Sequence, residues 1–329
     1  MLSTADVDVV FVLTPIQLHH EHTMACLHAG KHVYVQKTMA LTHEQAREMV
    51  ETAETNALTL AAAPGQMLSP AYQQMRRIVE DGGVGRVMWC CGGAAGGDAT
   101  EVIGSDGVDG AWRFHHGGGP LWNTTVYSLH ALTGILGPIR RVGSMMQTPF
   151  PQRMRGGVPF DVTETDNALL TLEFASGVLG CAWGCRSATG QVLDWGAIGL
   201  YGTGGSLEAT GIHHESGWPD EVAWRGRERR VFRYPKGGFL AGEGWETPLA
   251  PPPHPDLLEQ HVYLDALDFV QAVRANRPPL ASAHHAAHVV EVIEKSYLAA
   301  RSGRHQDIHS KFWFGVHTHA TSCSQWSIS

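Results

Sequence analysis

From Val7 to Pro15 the chain reads VDVVFVLTP, a nearly continuous apolar run rich in β-branched residues. That pattern predicts a strand buried on both faces, as in a parallel sheet. QLHHEHTMACLHAGK follows as a helix, with Gly30 just past its last turn, where a C′ residue belongs. HVYV (32–35) is the next strand. Thr42 opens a second helix, with Gln45 three residues on in capping-box spacing. Ala46, Met49, Val50 and Ala53 share one face of it. ALTLAAAP (57–64) predicts a third strand. A third helix, with Tyr72, Met75, Ile78 and Val79 inward, ends at DGGVG (81–85). This alternation of strand and helix predicts a parallel α/β layer.

After Gly85 the texture changes. RVMWCCGGAAGG (86–97), ALLTLEFASG (168–177), VLGCAWGCRS (178–187) and WGAIGLYGTGGSLEATG (195–211) alternate or run apolar between glycine turns. They predict an antiparallel or mixed sheet of some size, interrupted by one helix from near Pro120 to about Leu136. Two helices close the fold. Leu258, Val262, Ala266, Phe269 and Val273 stripe the first; Ala286, Val289, Val290, Ile293, Tyr297 and Ala300 stripe the second. Glu291 and Glu294, flanking Lys295, read as a solvated face. The expected organisation is an α/β unit over residues 1–80, an α+β unit over 81–310 that includes the closing helices, and an irregular tail over 311–329.

With 329 residues, two domains are the expectation. The net charge of −8 lacks the basic footprint of a nucleic-acid binder. No run approaches the ~20 apolar residues of a membrane span. The first residues, MLSTADVDVVFVLTP, have no basic region ahead of the apolar run and do not read as a signal peptide. The six cysteines have no zinc-site spacing. Cys181 and Cys185 read as buried thiols rather than metal ligands, and this usage fits a reducing, cytoplasmic compartment. His284 and His288 stand at i and i+4 on a helix without an evident third ligand, so no metal is expected.

Lys37 is the candidate for chemistry. It lies where the strand HVYV hands over to a helix, and the carboxyl ends of parallel strands face the crevice where α/β proteins bind ligands. Its surroundings carry a resemblance. DVVFVLTPIQLHHEHTMACLHAGKHVYVQKTMALTHEQAREMV is similar to the TP-x-x-x-H, AGKHV and E-K-P series of the Gfo/Idh/MocA family of NAD(P)-dependent oxidoreductases. GGGPLWNTTVYSLHALTGILGP resembles that family's D-x-x-x-H segment, and LYGTGGSLEATG and HHAAHVVEVIEKSYLAARSGR resemble its late strand and closing helix.

The resemblance implies a Rossmann layer followed by an α+β domain whose sheet is large, open and mostly antiparallel, with NAD or NADP as cofactor between them. It implies reversible oxidation of a secondary alcohol on a sugar, cyclitol or related polyol, and a homo-oligomer formed through the open sheet. It places Thr14, Pro15, His19, Gln36 and Lys37 beside the cofactor. Three departures stand out. The amino-terminal G-x-G-x-x-G is absent, and roughly 60 further residues would be needed to carry the first βαβ unit and its phosphate loop. A truncated or mis-started gene product, or a short form binding dinucleotide weakly, is the expectation from that departure. E-K-P reads Gln36-Lys37-Thr38, and D-x-x-x-H reads Asn123-Thr-Thr-Val-Tyr127.

Oxidising an alcohol requires a group to take its hydroxyl proton. Tyr127 is a candidate if a nearby ammonium lowers its pKa, and a packed core tyrosine is the alternative. Helical steps of four and three place Asn123, Tyr127 and His130 on one face, so His130 could relay the proton or simply pack. Trp112, His115 and His116 precede GGGP in a loop suited to sugar binding or to an ordinary turn. Two other functions are carried: a non-catalytic relative acting as an interaction subunit, and a glycosidase using nicotinamide redox chemistry.

Overall fold

The computed structural model describes residues 6–97, 110–188, 190–193, 196–209, 219, 221–226, 229–233 and 260–312. β1 (Val9–Val12), β2 (His32–Val35) and β3 (Leu60–Ala62) form a parallel sheet in that order. Val12 pairs with Val35, and Val35 with Ala62. The intervening helices are α1 (His19–His28) and α2 (His43–Thr55). Val33, Val35, Leu60 and Ala62 pack with Leu27, Met49 and Val50 from these helices. Alternation along the strands turns Tyr34 and Ala61 to the opposite face, where they meet Phe269. The cap of α2 is built much as its sequence predicts: Thr42 Oγ1 accepts from Gln45 N at 3.2 Å. The reciprocal bond goes one residue earlier, from Leu41 N to Gln45 Oε1 at 3.3 Å.

β1 corrects the expectation of a strand buried on both faces. Among the described residues it is an edge strand, so Phe11 and Leu13 stay exposed, Leu13 by 63%. Phe11 still rests on Tyr34 and Phe269, with ring centroids 5.3 and 5.6 Å away.

α3 (Pro70–Glu80) leads into a ten-stranded mixed sheet. Its members are β4 (Val87–Gly97), β5 (Ile139–Gln147), β8 (Asn167–Phe174), β9 (Leu179–Cys185), β10 (Gly190–Leu193), β11 (Ile198–Gly202), β12 (Gly205–Ala209), β13 (Glu221–Arg225), β14 (Arg229–Arg233) and β15 (Gln306–Asp307). Between β5 and β8 stands a separate hairpin, β6 (Gln152–Arg155) with β7 (Val158–Asp161). The order β14-β13-β12-β11-β4-β9-β8-β5-β15, with β10 on β4, is antiparallel apart from the β4–β9 seam. The inner face carries Ala168, Leu170, Leu172, Ala182, Leu200 and Leu207 into one core with Leu129 and Leu132 of α4 (Val126–Leu136). The outer face presents Trp89, Leu169, Leu179 and Met145, the last 75% exposed.

The closing helices tie the two sheets together. α6 (Ala283–Ser302) places Ala286, Ala287 and Val290 in the core of the parallel layer, and Val289, Val292 and Ile293 in the core of the large sheet. It is a shared wall. α5 (Gln260–Ala275) lays Phe269 on Tyr34, Ala61 and Ala63. Its inward stripe differs from the predicted one. Val262 is exposed, while His261, Leu264, Asp265, Asp268, Phe269 and Ala272 are buried. Polar residues are inside because they have partners: Asp268 accepts from Leu280 N at 2.6 Å and pairs with Arg277 at 2.7 Å. Glu291 is also buried rather than solvated, accepting from His309 N and Ser310 N at 3.0 and 2.8 Å. Of the expected tail, Phe312 is docked, its ring 4.4 Å from that of His285. Leu258 and residues 313–329 lie outside the described residues.

Candidate active site

Parallel strands send their connecting loops off one edge, and that edge forms the crevice. Gln36 N still bonds to Val12 O at 2.9 Å, so Lys37 is the first residue past the β2 ladder. Gln36 folds back, its Oε1 accepting from Lys37 N at 2.8 Å. The Lys37 side chain is half-buried, and Nζ donates to Asn123 Oδ1 at 2.6 Å and to the Asn123 carbonyl at 3.1 Å. The same ammonium lies 5.4 Å from the centroid of the Tyr127 ring. Thr38, joined to Lys37 by a cis peptide, donates from Oγ1 to Trp122 O at 2.7 Å.

The interrupting helix therefore meets the parallel layer where it begins. Its first turn, Leu121–Thr125, is a wide π-turn that passes into α4. Asn123 and Tyr127 both reach Lys37, as the helical spacing predicts. His130 does not join them. Its ring packs on His285 of α6 at 4.6 Å, and burial pushes its pKa down to about 3. Helical steps of three and four fix neither the wide turn before α4 nor the partner behind it, and of the two readings of His130 the contact with His285 supports packing.

His19 is buried beneath the crest rather than lining it. Its ring nitrogens lie 2.8 and 2.7 Å from the carbonyl oxygens of Thr38 and Thr14. Burial lowers its pKa, so the neutral ring donates to one carbonyl at a time. It ties the loop after β1 to the turn at Lys37. Pro15 is exposed at the end of the β1 loop, and Thr14 beside it holds a buried Oγ1 without a hydrogen-bond partner among the described residues.

The loop before GGGP docks on this crest. Gln17 Nε2 donates to His116 O at 2.7 Å. Glu164, buried, accepts from Gly117 N at 3.1 Å and lies 3.5 Å from His116 Nδ1. A Cβ at Gly117 would sit 2.7 Å from Leu41 and 2.9 Å from Ile16, and its φ is +85°, so glycine is needed there. His115 Nδ1 stands 3.3 Å from Thr163 Oγ1, and Trp112 is 40% exposed. Of the expected loop residues, His116 is fastened to the crest through its carbonyl, while Trp112 and His115 face the β6–β7 hairpin.

Sequence reasoning missed the groups on the far side. Tyr34 Oη donates to Asp265 Oδ2 at 3.0 Å, as does Gly65 N at 3.0 Å from the turn after β3. Burial raises the Asp265 pKa to about 7, against the pull of those two donors. Burial, then the Lys37 charge, lowers His261 to about 4. No local pattern signals this cluster, because its members are some 200 residues apart.

The residues present fit the nicotinamide end of a dinucleotide: a Thr14 hydroxyl with no partner among the described residues and a fixed ammonium stand at the carboxyl ends of neighbouring strands. The turn after β1 reads Thr14-Pro15-Ile16 and is no glycine-rich phosphate loop.

Comparison with known proteins agrees with this layout. Residues 1–63 match the model of an oxidoreductase family with an NAD-binding Rossmann fold, and residues 72–208 match the Gfo/Idh/MocA C-terminal domain. Levoglucosan dehydrogenase of Pseudarthrobacter phenanthrenivorans is 25% identical over 270 residues, which is 75% of this chain and 67% of that protein. D-glucoside 3-dehydrogenase of Escherichia coli is 35% identical over 141 residues, 42% of this chain and 38% of that one. The chain thus spans about two-thirds of the first relative and well under half of the second. Among solved structures, levoglucosan dehydrogenase in complex with NADH and levoglucosan superposes with a TM-score of 0.76 at 21% identity, covering 93% of this chain and 82% of that one. By its two matched domains and their order, the chain belongs to the Gfo/Idh/MocA family of oxidoreductases.

Proposed function

We propose that this chain is a nicotinamide-dependent dehydrogenase acting on a secondary alcohol of a sugar, cyclitol or related polyol. The observation that carries the reading is the Lys37 ammonium, held by Asn123 against the Tyr127 ring at the carboxyl end of β2. The names of the relatives, dehydrogenases of levoglucosan and of D-glucosides, support the substrate class. When bound, NAD or NADP supplies the hydride acceptor. Lys37 donates a hydrogen bond to the reacting hydroxyl and stabilises the negative charge that develops on its oxygen. Tyr127, as the phenolate that the neighbouring Lys37 ammonium favours, takes the hydroxyl proton, and Asn123 keeps the ammonium aimed at the substrate. Trp112, His115 and His116 face the rest of the substrate. Thr14, Pro15 and Gln36 border the nicotinamide, with His19 holding their backbone.

Residues 1–80 act as the nucleotide side and residues 81–310 as the substrate and assembly side, bridged by α6. A second copy covers the outer face of the large sheet, where Trp89 stands beside Leu179 and Met145 beside Leu169 as two exposed apolar cross-strand pairs. The cytoplasm is the proposed compartment; Cys26, Cys90, Cys91, Cys181 and Cys185 are all free thiols. No helix among the described residues is long and apolar enough to cross a membrane.

Titration of the purified chain with NADH and NADPH, followed by nicotinamide fluorescence, tests the reading together with turnover of levoglucosan, glucosides and inositols. Saturable binding in the micromolar range and reduction of NAD or NADP are expected, both with a polyol and dependent on Lys37. No binding at millimolar dinucleotide and no turnover would overturn it in favour of a non-catalytic interaction subunit. Release of free sugar with no net change in cofactor would instead mark a glycosidase.

A further inference from the structure

The loop that docks on the crest has a second side. Between it and the β6–β7 hairpin lies a cleft of about 680 Å³, within the roughly 300–1,000 Å³ typical of small-ligand sites. Trp112 and His115 line one wall; Val158, Pro159 and Phe160 line the other, with Arg155 at the same hairpin. Two large apolar groups, Trp112 and Val158, are left open to solvent here, 40% and 65% exposed. The wall is rigid. Phe160 packs edge-on against His115 at 5.9 Å and lies tilted against Phe114 at 6.1 Å. Beneath them the buried Arg153 guanidinium lies 4.3 Å from the Phe114 ring and 2.6 Å from Asp166. An aromatic floor with a few polar groups, held in place before any ligand arrives, is the make-up of a recognition site rather than of a loose surface groove.

We propose that this cleft is a saccharide subsite that takes a second pyranose ring, so that the substrate is a glycoside larger than one sugar. A pyranose presents an apolar C–H face and a polar rim. The first suits the Trp112 indole, and the second suits the His115 imidazole and the Arg155 guanidinium. Position argues for the same occupant. Trp112 and His115 stand on one side of a short loop whose next residues, His116 and Gly117, are fastened to the crest beside Ile16 and Leu41. The cleft thus lies on the other side of a loop whose His116–Gly117 end is fastened to the crest. This rests on the dehydrogenase reading, but its test needs no nucleotide.

Isothermal titration of the full chain with glucose, maltose and cellobiose reads the subsite directly. At least one disaccharide should bind about tenfold more tightly than glucose, the size of one good aromatic contact. Trp112→Ala should bring that disaccharide to the affinity of glucose. Val158→Trp, which fills the cleft from an exposed hairpin position, should do the same without touching the aromatic floor. Equal affinity for glucose and both disaccharides, no disaccharide binding at all, or disaccharide affinity unchanged in both variants would each overturn the proposal. A preference for disaccharide that persists in a chain showing no turnover would leave the cleft standing while the redox reading falls. Turnover with no such preference would do the reverse.

Discussion

Lys37 and Asn123 are bound to each other twice, through the amide oxygen at 2.6 Å and the backbone carbonyl at 3.1 Å. The ammonium is thus oriented before substrate arrives, which is where positioned hydrogen bonds have most effect on rate. Lys37→Met should lower kcat/KM by about 10²–10⁴-fold, the range for losing a group that handles charge or proton in the transition state. Asn123→Ala should cost less, about tenfold, because the backbone carbonyl still holds the ammonium. Steady-state kinetics with a polyol and NAD or NADP separate the two. Equal losses in both variants would mean that the amide contacts substrate itself.

Tyr127 and His130 lie three residues apart on α4 and have different surroundings. Tyr127→Phe keeps the buried ring and removes only the hydroxyl, so kcat should fall by about 10²–10⁴-fold if that hydroxyl is the proton acceptor. The melting temperature should move little. His130→Gln should behave in the opposite way: kcat within a factor of two, stability reduced, because the ring fills space between α4 and α6. A kcat collapse in His130→Gln with an unchanged melting temperature would restore the relay.

The alternating strands and helices before Gly85 were legible because each element has its own period and punctuation: Gly30 at φ +71° after α1, and the Thr42–Gln45 cap on α2. Asn123 and Tyr127 were readable as neighbours on one helix face, but the wide turn at Leu121–Thr125 and the Lys37 ammonium between them were not set by that spacing. What was hidden depends on contacts across the chain. Asp265 reads as the polar side of α5 until Tyr34 and Gly65 are seen to bind it. Glu291 reads as solvated until the segment at His309–Ser310 folds back over it. Glu164, which fastens Gly117, sits in VTETD with no local mark of its role. Burial of a polar group is set by its partner, and hydrophobic periodicity does not report partners.

Stability should fall in acid. His130 and His288 are held to about 3 and about 4, and His285 well below its ordinary value, chiefly by burial. The unfolded chain protonates these rings near 6.5 while the native state excludes the protons. Their contribution is full above pH 6.5 and declines as pH falls toward 4 and below. Asp265 has the opposite sign. Its pKa is raised from 3.8 to about 7, so the native state holds a proton that the unfolded chain has released. That contribution is present at low pH and is lost as pH rises from 3.8 through 7. These three rings, with His261 and His19 lowered in the same direction by burial, outnumber the one carboxyl, so the melting temperature should drop between pH 6.5 and 4. Asp265→Asn, which keeps an acceptor for Tyr34 and Gly65, should stabilise the protein more at pH 8 than at pH 5. A gain independent of pH would show that Asp265 ionises normally.

The final prediction concerns the pair beneath the cleft. Arg153 and Asp166 are both fully enclosed, 2.6 Å apart, and Arg153 also donates to Arg186 O at 3.3 Å. Removing one charge strands the other in a region of low polarity, and the cost of that is larger than the pair's own net contribution. Asp166→Ala should therefore destabilise by about 3–5 kcal/mol in urea denaturation. Arg153→Met combined with Asp166→Leu removes both charges and keeps volume, so it should recover most of that loss. If the double variant is as unstable as Asp166→Ala, the pair holds the β6–β7 hairpin through its hydrogen-bond geometry rather than through charge balance. The Trp112 wall of the cleft should then lose its facing partner in both variants alike.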